Sequence, residues 1–552
     1  MFRSLAAALL LASPVLAQEA SPPPPPAPPA APKAPPKLIV AIAVDQFSAD
    51  VFAEYRQHFT GGLARLANGV VFPSGYQSHA ATETCPGHST ILTGSRPART
   101  GIIANDWIDL KTPRKDKTIY CAEDESVPGS SSSNYTVSPL HLKVQTLGER
   151  LKAMNPATRV AAIAGKDRAA VMMSGHKADQ VWWWGGKAFV SYAGRATPEA
   201  ITRGNAAVDK RIAEAQRPME LPGFCKSRDL AIPIGGGRTV GTGRFERDAG
   251  DVRRFRASPE FDMAVVGIAA DLRAEMKLGE GGATDLLIVG ASASDYVGHT
   301  YGTEGTEMCL QLVNLDRTLG YLFDILDKTG IDYQVVLTAD HGGHDLPERH
   351  NIHAIPEAAR VEAGMGANAM GKKVAAKLGM GDAQILWGGN FGDIYVDPAL
   401  PAKQREAVTR EAIALYRAHP QVAAVFTRAE ILATPSPSGP PETWSMLQRA
   451  RASFDRERSG DFIVALKPRI TPISDPTNGS VATHGSFWDY DRRVPILFWR
   501  KGQTGFEQPM SVETVDILPT LAGVVGLPIP AGEIDGRCLD LDAGPGTTCP
   551  AR

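Results

Sequence analysis

The segment Leu38-Ile39-Val40-Ala41-Ile42-Ala43-Val44-Asp45 decides the fold, because an unbroken apolar run ends in a carboxylate. A strand buried on both faces of a parallel sheet has this continuous pattern, whereas a half-exposed strand alternates apolar and polar residues. Similar short runs follow at 159–164, 285–290, 333–338 and 494–499, with helical patterns between them, the clearest over 306–328. This alternation predicts an α/β fold, a doubly wound and mostly parallel sheet flanked by helices.

Polar residues follow directly where several of these predicted strands end. In doubly wound sheets, ligands collect beyond the carboxyl ends of the strands. We therefore expect residues that are far apart in the sequence to lie together at one edge of the sheet. These residues are Asp45, Lys166, Asp295 and Asp340.

The composition is that of a soluble globular protein, with 43% hydrophobic and 21% charged residues. A net charge of −2 gives no sign of a nucleic-acid or anionic-membrane partner, since both favour basic surfaces. The 552 residues exceed the roughly 250–300 that one compact core holds, so we expect insertions or a second domain. Residues of about 181–260 and 352–470 are interpreted as insertions that cap the sheet within a catalytic domain of 38–552.

The N-terminus is predicted to direct export. Arg3 precedes a short apolar run that ends in small residues, so residues 1–17 are typical of a signal peptide cleaved after Ala17. The alternative is an uncleaved anchor, although the run is shorter than the about 20 residues that span a bilayer. Residues 18–37 are rich in Pro and Ala and are predicted to form an extended linker. The mature protein is expected in the periplasm or the medium, without stable membrane insertion.

Six cysteines fit an exported protein, because its compartment permits disulfides. Cys538 and Cys549 are close in a loop-like tail and are predicted to pair, and a pair of Cys121 with Cys225 is a weaker prediction. The chain has no CxxC motif, so a zinc site made of thiolates is not expected.

Carboxylates and histidines at the predicted strand ends suggest metal ligands. Asp340 and His341 are adjacent on a tight turn, and Asp295 and His299 lie one helical turn apart on the same face. Zinc accepts this mixture of oxygen and nitrogen ligands. Asp45 and His484 bring the number of candidate ligands to six. Six ligands are enough for two metals at about three protein ligands each, with positions open for substrate. The six candidates are Asp45, Asp295, His299, Asp340, His341 and His484.

The stretch Thr82-Glu83-Thr84-Cys85-Pro86-Gly87-His88 is interpreted as a loop that enters a helix, with Pro86 at the first helical position. A helix N-terminus favours anions, so a hydroxyl there is well placed for phosphoryl transfer. Coordination to a metal lowers the pKa of a hydroxyl and makes Thr84 a candidate nucleophile. His79 and His88 are interpreted as packing residues, and Trp182 to Trp184 as a packed hairpin.

With these motifs, the chain resembles the alkaline phosphatase superfamily, from Leu38 to about Leu521, and within it the threonine-nucleophile periplasmic enzymes of the Sphingomonas type. The resemblance implies a phosphothreonine intermediate on Thr84 and two zinc ions. One zinc would take Asp45, Thr84, Asp340 and His341, and the other would take Asp295, His299 and His484. It further implies that Asn105, Lys166 and Arg168 bind the phosphoryl group.

Three side chains favour a monoesterase on physical grounds, apart from the resemblance. Asn105 offers an amide donor, Lys166 a compact positive charge, and Arg168 a fork that can bind two oxygens. A monoester dianion has three non-bridging oxygens to hold, whereas a diester has one of them blocked, so extra cations favour monoesters.

The chain is thus predicted to be a metal-dependent alkaline phosphatase that acts on small phosphate esters, with weak diesterase activity as a side reaction. One alternative is a nucleotide pyrophosphatase/phosphodiesterase of the same superfamily. The other is a non-catalytic metal- or phosphate-binding protein. A sulfatase is not expected, because Pro86 directly follows Cys85 where a sulfatase has Cys-x-Pro-x-Arg.

Overall fold

The structure is a computed structural model that describes residues 34–353, 355–477 and 479–550. The predicted signal peptide, residues 1–17, and most of the predicted linker lie outside these residues. The strands within them are β1 (Leu38–Val44), β2 (Val70–Tyr76), β3 (Asp106–Ile108), β4 (Thr118–Tyr120), β5 (Val160–Ala164), β6 (Gln180–Trp184), β7 (Phe189–Val190), β8 (Ile232–Pro233), β9 (Thr239–Val240), β10 (Asp285–Ala291), β11 (Tyr333–Thr338), β12 (Ala359–Arg360), β13 (Leu386–Gly388), β14 (Gly392–Val396), β15 (Val422–Thr427), β16 (Phe462–Leu466), β17 (Ile470–Thr471), β18 (Arg493–Arg500), β19 (Phe506–Glu507) and β20 (Val512–Glu513).

Helices lie between most of these strands, so the chain alternates between the two kinds of element. They are α1 (Ala49–Tyr55), α2 (Gly62–Ala67), α3 (Thr84–Ile91), α4 (Pro97–Thr100), α5 (Leu147–Met154), α6 (Asp167–Ser174), α7 (Glu199–Ala213), α8 (Val252–Arg256), α9 (Pro259–Met276), α10 (Ala293–Tyr301), α11 (Thr306–Lys328), α12 (Pro347–Ile352), α13 (Ala367–Lys377), α14 (Ala402–Arg417), α15 (Arg428–Ala433), α16 (Met446–Ser453), α17 (Asp489–Arg492) and α18 (Ile517–Val525). Short 3₁₀ helices occupy Arg56–His58, Gly223–Arg228, Pro441–Thr443 and Thr514–Asp516.

The main sheet has the strand order β19-β2-β18-β11-β1-β10-β5-β6-β7, with β20 also paired to β2. Its centre is parallel, because β1 pairs in parallel with β10 and β11, and β5 pairs in parallel with β10 and β6. Strand β18 is antiparallel to both of its neighbours, and β7 is antiparallel to β6. The predicted α/β fold with a mostly parallel sheet is confirmed.

Strand β1 shows why the apolar run decides the fold. Its side chains alternate between two cores, with Leu38, Val40 and Ile42 in one, and Ile39 and Ala41 in the other. The first core includes residues of α1, α9 and α11, and the second includes residues of α5, α6 and α18. Both faces of the strand are therefore covered, as a parallel strand at the centre of such a sheet requires.

The two regions interpreted as insertions differ in structure. The first, from 181, begins within the main sheet, because Trp182, Trp183 and Trp184 belong to β6, which forms a hairpin with β7. The second contains a separate four-stranded sheet in the order β13-β14-β16-β15. This smaller sheet packs against α13 and α14 around an apolar core of its own.

Three disulfides join all six cysteines. The predicted pair of Cys538 with Cys549 is confirmed. The predicted pair of Cys121 with Cys225 is wrong, since Cys121 bonds to Cys85 and Cys225 bonds to Cys309. The fold explains the difference, because Cys85 is the second residue of α3, beside the loop that follows β4, and the 3₁₀ helix that carries Cys225 lies on α11.

Among the residues described, the structure contains no helix that is both long and apolar enough to cross a membrane.

Candidate active site

Three carboxylates meet where the central parallel strands end. Asp45 directly follows β1, Asp340 lies two residues beyond β11, and Asp295 lies in the first turn of α10, after β10. Because β1 lies between β10 and β11, the three side chains converge, and each of the three residues is at most 1% exposed. The sequence-based expectation that the strand ends gather these residues agrees with the structure.

Asp295, His299 and His484 form the first group, in which one ligand atom of each lies within 4.8 Å of the others. The Nε2 atoms of His299 and His484 lie 3.3 and 3.4 Å from Asp295 Oδ1. Both rings donate through Nδ1 to a backbone carbonyl, His299 to that of Ala482 at 2.9 Å and His484 to that of Thr82 at 2.8 Å. A carbonyl can only accept, so in the neutral rings Nε2 carries a lone pair.

The Nε2 lone pairs of His299 and His484 face the carboxylate oxygen Asp295 Oδ1, which carries negative charge. Asp295 Oδ1 is buried and accepts no hydrogen bond from the described residues. Burial, reinforced by the positive charge at His341, lowers the pKa of His484 to about 4, so this ring is neutral and able to bind a metal at neutral and alkaline pH. Carbonyls that fix the tautomer of a histidine are typical of metal sites. The first group therefore fits a metal ion.

Asp45, Asp340 and His341 form the second group. Asp340 Oδ1 accepts hydrogen bonds from the backbone N–H groups of Gln46 and His341, at 3.1 and 2.9 Å. Its other oxygen, Oδ2, is buried without a hydrogen bond and lies 3.2 Å from His341 Nε2. Burial disfavours charge on His341, but the Asp340 carboxylate outweighs it and raises the pKa of His341 to about 9. The negative charge of the Asp340 carboxylate also favours a metal cation in the second group.

His88 also belongs to the second group, although the sequence analysis assigned it to packing. Its Nε2 lies 3.1 Å from Asp45 Oδ1 and 3.4 Å from Asp340 Oδ2. Its ligand atom lies within 4.8 Å of those of both aspartates. The sequence spacing of Thr84 and His88 could have identified His88 as a candidate ligand. The two residues are four apart on α3 and share a face of the helix, as Asp295 and His299 do on α10.

A third group of potential ligands, Glu304, Asp345 and His350, has a different character. Arg349 Nη1 donates to both oxygens of Asp345, at 2.6 and 2.5 Å. A guanidinium therefore already neutralises the central carboxylate, and we assign this group to an ion-pair network.

Thr84 is linked to the first two groups through Lys166. It is 1% exposed and is the first residue of α3, so the helix begins two residues before Pro86 and not at it. Its Oγ1 lies 3.4 Å from Lys166 Nζ, which also contacts Asp295 Oδ2 at 2.6 Å and Asp45 Oδ2 at 2.9 Å. Lys166 thus connects the hydroxyl to a carboxylate of each group.

Lys166 keeps its charge under alkaline conditions. Burial disfavours the ammonium form, but the carboxylates of Asp295 and Asp45 outweigh burial and raise the pKa of Lys166 above its usual range. The positive charge therefore persists to higher pH than that of a free lysine.

Asn105 is held with its amide donor free. Its Oδ1 accepts the backbone N–H of Cys85 at 2.8 Å, and its own N–H donates to Glu83 Oε2 at 2.6 Å. Its carbonyl accepts the N–H of Cys121 at 2.9 Å, next to the disulfide of Cys121 with Cys85. The acceptor end of the side chain is therefore occupied, and the Nδ2 donor is available to a ligand.

Arg168 lies in the first turn of α6, two residues after Lys166. Its Nη1 donates to the Tyr120 hydroxyl at 3.4 Å, and its buried Nε has no partner among the described residues. Asp167 accepts from the hydroxyls of Tyr120 and Tyr135, at 2.7 and 2.8 Å, which fixes the start of α6. Part of the guanidinium is therefore free to bind an anion.

Residues 39–487 match the protein family described as type I phosphodiesterase/nucleotide pyrophosphatase. The chain belongs to this family. Within the family, it is 60% identical to alkaline phosphatase PhoK of Sphingomonas sp., over the full length of both chains. It is 48% identical to alkaline phosphatase PhoD of Zymomonas mobilis, over 94% of this chain and 90% of that one.

The fold of this family member agrees with a solved structure. The crystal structure of wild-type alkaline phosphatase PafA superposes with a TM-score of 0.78 at 25% identity, covering 91% of this chain and 98% of that one. The predicted resemblance to the alkaline phosphatases with a threonine nucleophile is confirmed at the level of the family by PhoK and PhoD. The roles of the individual residues stay predictions.

Gly87 lets α3, which begins with Thr84, lie directly on the strand end that carries Asp340. A Cβ atom at this position would lie 1.9 Å from the backbone oxygen of Asp340. Backbone cannot yield as a flexible side chain does, so a larger residue would push α3 and Asp340 apart.

We predict that Gly87→Ala lowers the free energy of unfolding by about 1–3 kcal/mol, because the methyl group has no space, and lowers phosphatase activity by displacing Asp340. Gly267→Ala is the matched control, since a Cβ there meets nothing within 4 Å in the long helix α9. Thermal unfolding and initial rates measure both effects. Equal behaviour of the two variants would contradict the close packing.

Proposed function

We propose that this chain is an exported alkaline phosphatase that hydrolyses phosphate monoesters, with Thr84 as the nucleophile and two zinc ions. The observation that carries the proposal is that the Thr84 hydroxyl lies 3.4 Å from a buried lysine ammonium, which itself contacts one carboxylate of each of two carboxylate–histidine groups. Relatives at 60% and 48% identity are alkaline phosphatases and support this activity.

The chain offers ligands for both ions. Asp295, His299 and His484 would hold one, and Asp45, Thr84, Asp340 and His341 would hold the other. A donor set that contains three imidazoles favours zinc over magnesium or calcium, which prefer oxygen ligands. When bound, the ions lower the pKa of the threonine hydroxyl and stabilise charge on the attacking and leaving oxygens.

The residues of the chain then divide the reaction between them. Thr84 Oγ1 attacks phosphorus, and the bond from phosphorus to the leaving oxygen breaks, which gives a phosphothreonine and the free alcohol. Water then attacks phosphorus, the bond to Oγ1 breaks, and inorganic phosphate leaves. Asn105 Nδ2 donates to a non-bridging oxygen throughout, while Lys166 and Arg168 offset the negative charge of the monoester.

The raised pKa of Lys166 supports activity at alkaline pH, because its charge persists where the substrate is a full dianion. Export is supported by the predicted signal peptide and by the three disulfides, which form in oxidising compartments.

The family description favours one other candidate, a phosphodiesterase or nucleotide pyrophosphatase. The same two metal groups would serve either reaction, so a weak diesterase side activity is expected. A diester carries one negative charge fewer and has one blocked oxygen, and therefore gains less from Lys166 and Arg168. The non-catalytic alternative predicts metal binding without turnover of any phosphate ester.

We predict that the purified protein hydrolyses 4-nitrophenyl phosphate much faster than bis(4-nitrophenyl) phosphate, and that Thr84→Ala abolishes both reactions. Thr84→Ser should retain substantial activity, because it keeps the hydroxyl. Initial rates at alkaline pH, with zinc content measured on each preparation, test this. Faster diester turnover would favour the phosphodiesterase, and full activity of Thr84→Ala would exclude this nucleophile.

We predict that Lys166→Ala combined with Arg168→Ala lowers kcat/KM for the monoester by about 100-fold or more, because each lost cation removes transition-state stabilisation. The loss for the diester should be much smaller. The matched control pairs Lys187→Ala with Arg217→Ala, which are exposed. Equal losses for both substrates would contradict the assigned role in selecting monoesters.

A further inference from the structure

A cavity of about 460 Å³ lies between the start of α3 and the hairpin of β13 and β14. Glu83, Asp106 and Gly485 are among the residues that line it. Each adjoins a residue of the candidate site in the sequence, namely Thr84, Asn105 and His484. The cavity wall thus adjoins the site at three points of the chain, and Glu83 also accepts the backbone N–H of Asn105 at 2.6 Å.

Aromatic side chains form much of its wall. Trp387 and Phe391 come from the hairpin of the smaller sheet, and Trp107 comes from β3 of the catalytic core. Gly485, with a φ of 108°, lets Phe391 approach, because a Cβ there would lie 3.2 Å from the Phe391 ring and 3.6 Å from the Glu83 side chain. The ring of Phe391 is thus held beside the residue that follows His484.

Negative charge dominates the lining. Glu83, Asp106 and Asp393 contribute carboxylates, and no Lys, Arg or His is among the described residues that line the cavity. Partial removal from water, and after it the Glu83 carboxylate, raises the pKa of Asp106 to about 6, although this residue is still exposed at one end of β3. Burial likewise raises the pKa of Asp393 to about 7, so both are ionised under alkaline conditions. Asp393 Oδ1 accepts the N–H of Gly460 at 2.7 Å, which fixes this carboxylate on the hairpin.

On the basis of the proposed phosphatase activity, we propose that this cavity is the leaving-group subsite and that it selects monoesters whose leaving group carries an ammonium, such as choline or an aminoalkyl alcohol. Aromatic faces attract cations, and although Arg458 already lies over the Trp107 ring, Trp387 and Phe391 add further rings to the lining. Arg168 and Arg428 act on these carboxylates from outside the lining, which itself offers only negative charge to a ligand. The smaller sheet, as the cap, would thus contribute specificity while the main sheet contributes chemistry.

The test compares phosphocholine with 3,3-dimethylbutyl phosphate, which has the same shape but no charge on its leaving group. We expect the wild type to give a higher kcat/KM for phosphocholine, by about threefold or more, at low ionic strength. Asp393→Asn should lower this ratio by about threefold or more, since the amide keeps an acceptor for Gly460 but loses the charge. Asp106→Asn, which changes a lining carboxylate on β3 instead of β14, should also lower this ratio and serves if the first variant does not fold.

Asp209→Asn is the matched control, because this carboxylate is exposed on α7 and does not line the cavity. Asp209→Asn should leave unchanged the ratio of kcat/KM for phosphocholine to kcat/KM for 3,3-dimethylbutyl phosphate. A wild-type ratio of one or less, with both substrates turned over, would overturn the subsite while leaving the proposed phosphatase intact. A ratio that both carboxylate variants leave unchanged would also overturn it. Failure to hydrolyse 4-nitrophenyl phosphate as well would overturn the proposed function itself.

Discussion

The repulsion between three buried carboxylates is the constraint on which the site depends. Asp45, Asp295 and Asp340 converge at the ends of adjacent strands, almost without exposure to water. Like charges at such distances in a protein interior are costly unless cations balance them. Lys166 contributes one charge, and it is bound to two of the three carboxylates. The imidazoles of His299 and His484 direct lone pairs at Asp295 Oδ1, and His88 and His341 face the oxygens of Asp45 and Asp340, an arrangement that two metal ions would complete.

Other features of the structure position this cluster. The parallel strands bring the carboxylates to one edge, and Gly87 lets α3, which begins with Thr84, lie against Asp340. The disulfide of Cys85 with Cys121 joins α3 to the residue whose N–H donates to the Asn105 carbonyl. The proposed nucleophile and the proposed oxyanion donor are thereby joined through backbone contacts and a disulfide, the kind of preorganisation that phosphoryl transfer needs.

The sequence predicted the strands and helices, which leave a local pattern of apolar residues. It missed the features that depend on contacts between distant segments. The apolar run of β1 and the leucine spacing of α11 identified the elements, because burial on one or both faces leaves a periodic signal. Cys121 was given the wrong partner, since the approach of two loops leaves no periodic signal. His88 was assigned to packing because a histidine inside a short helix looks structural until the carboxylates opposite it are known. The cavity wall was also beyond prediction, since it joins residues 83, 106 and 393 from three separate segments.

The most direct test of the central claim is anomalous diffraction at the zinc absorption edge from crystals of the zinc-loaded protein. The account predicts two peaks, one enclosed by Asp295, His299 and His484, and the other enclosed by Asp45, Asp340 and His341. A single peak, or zinc bound instead at Glu304, Asp345 and His350, would contradict the claim that paired metals balance the buried carboxylates.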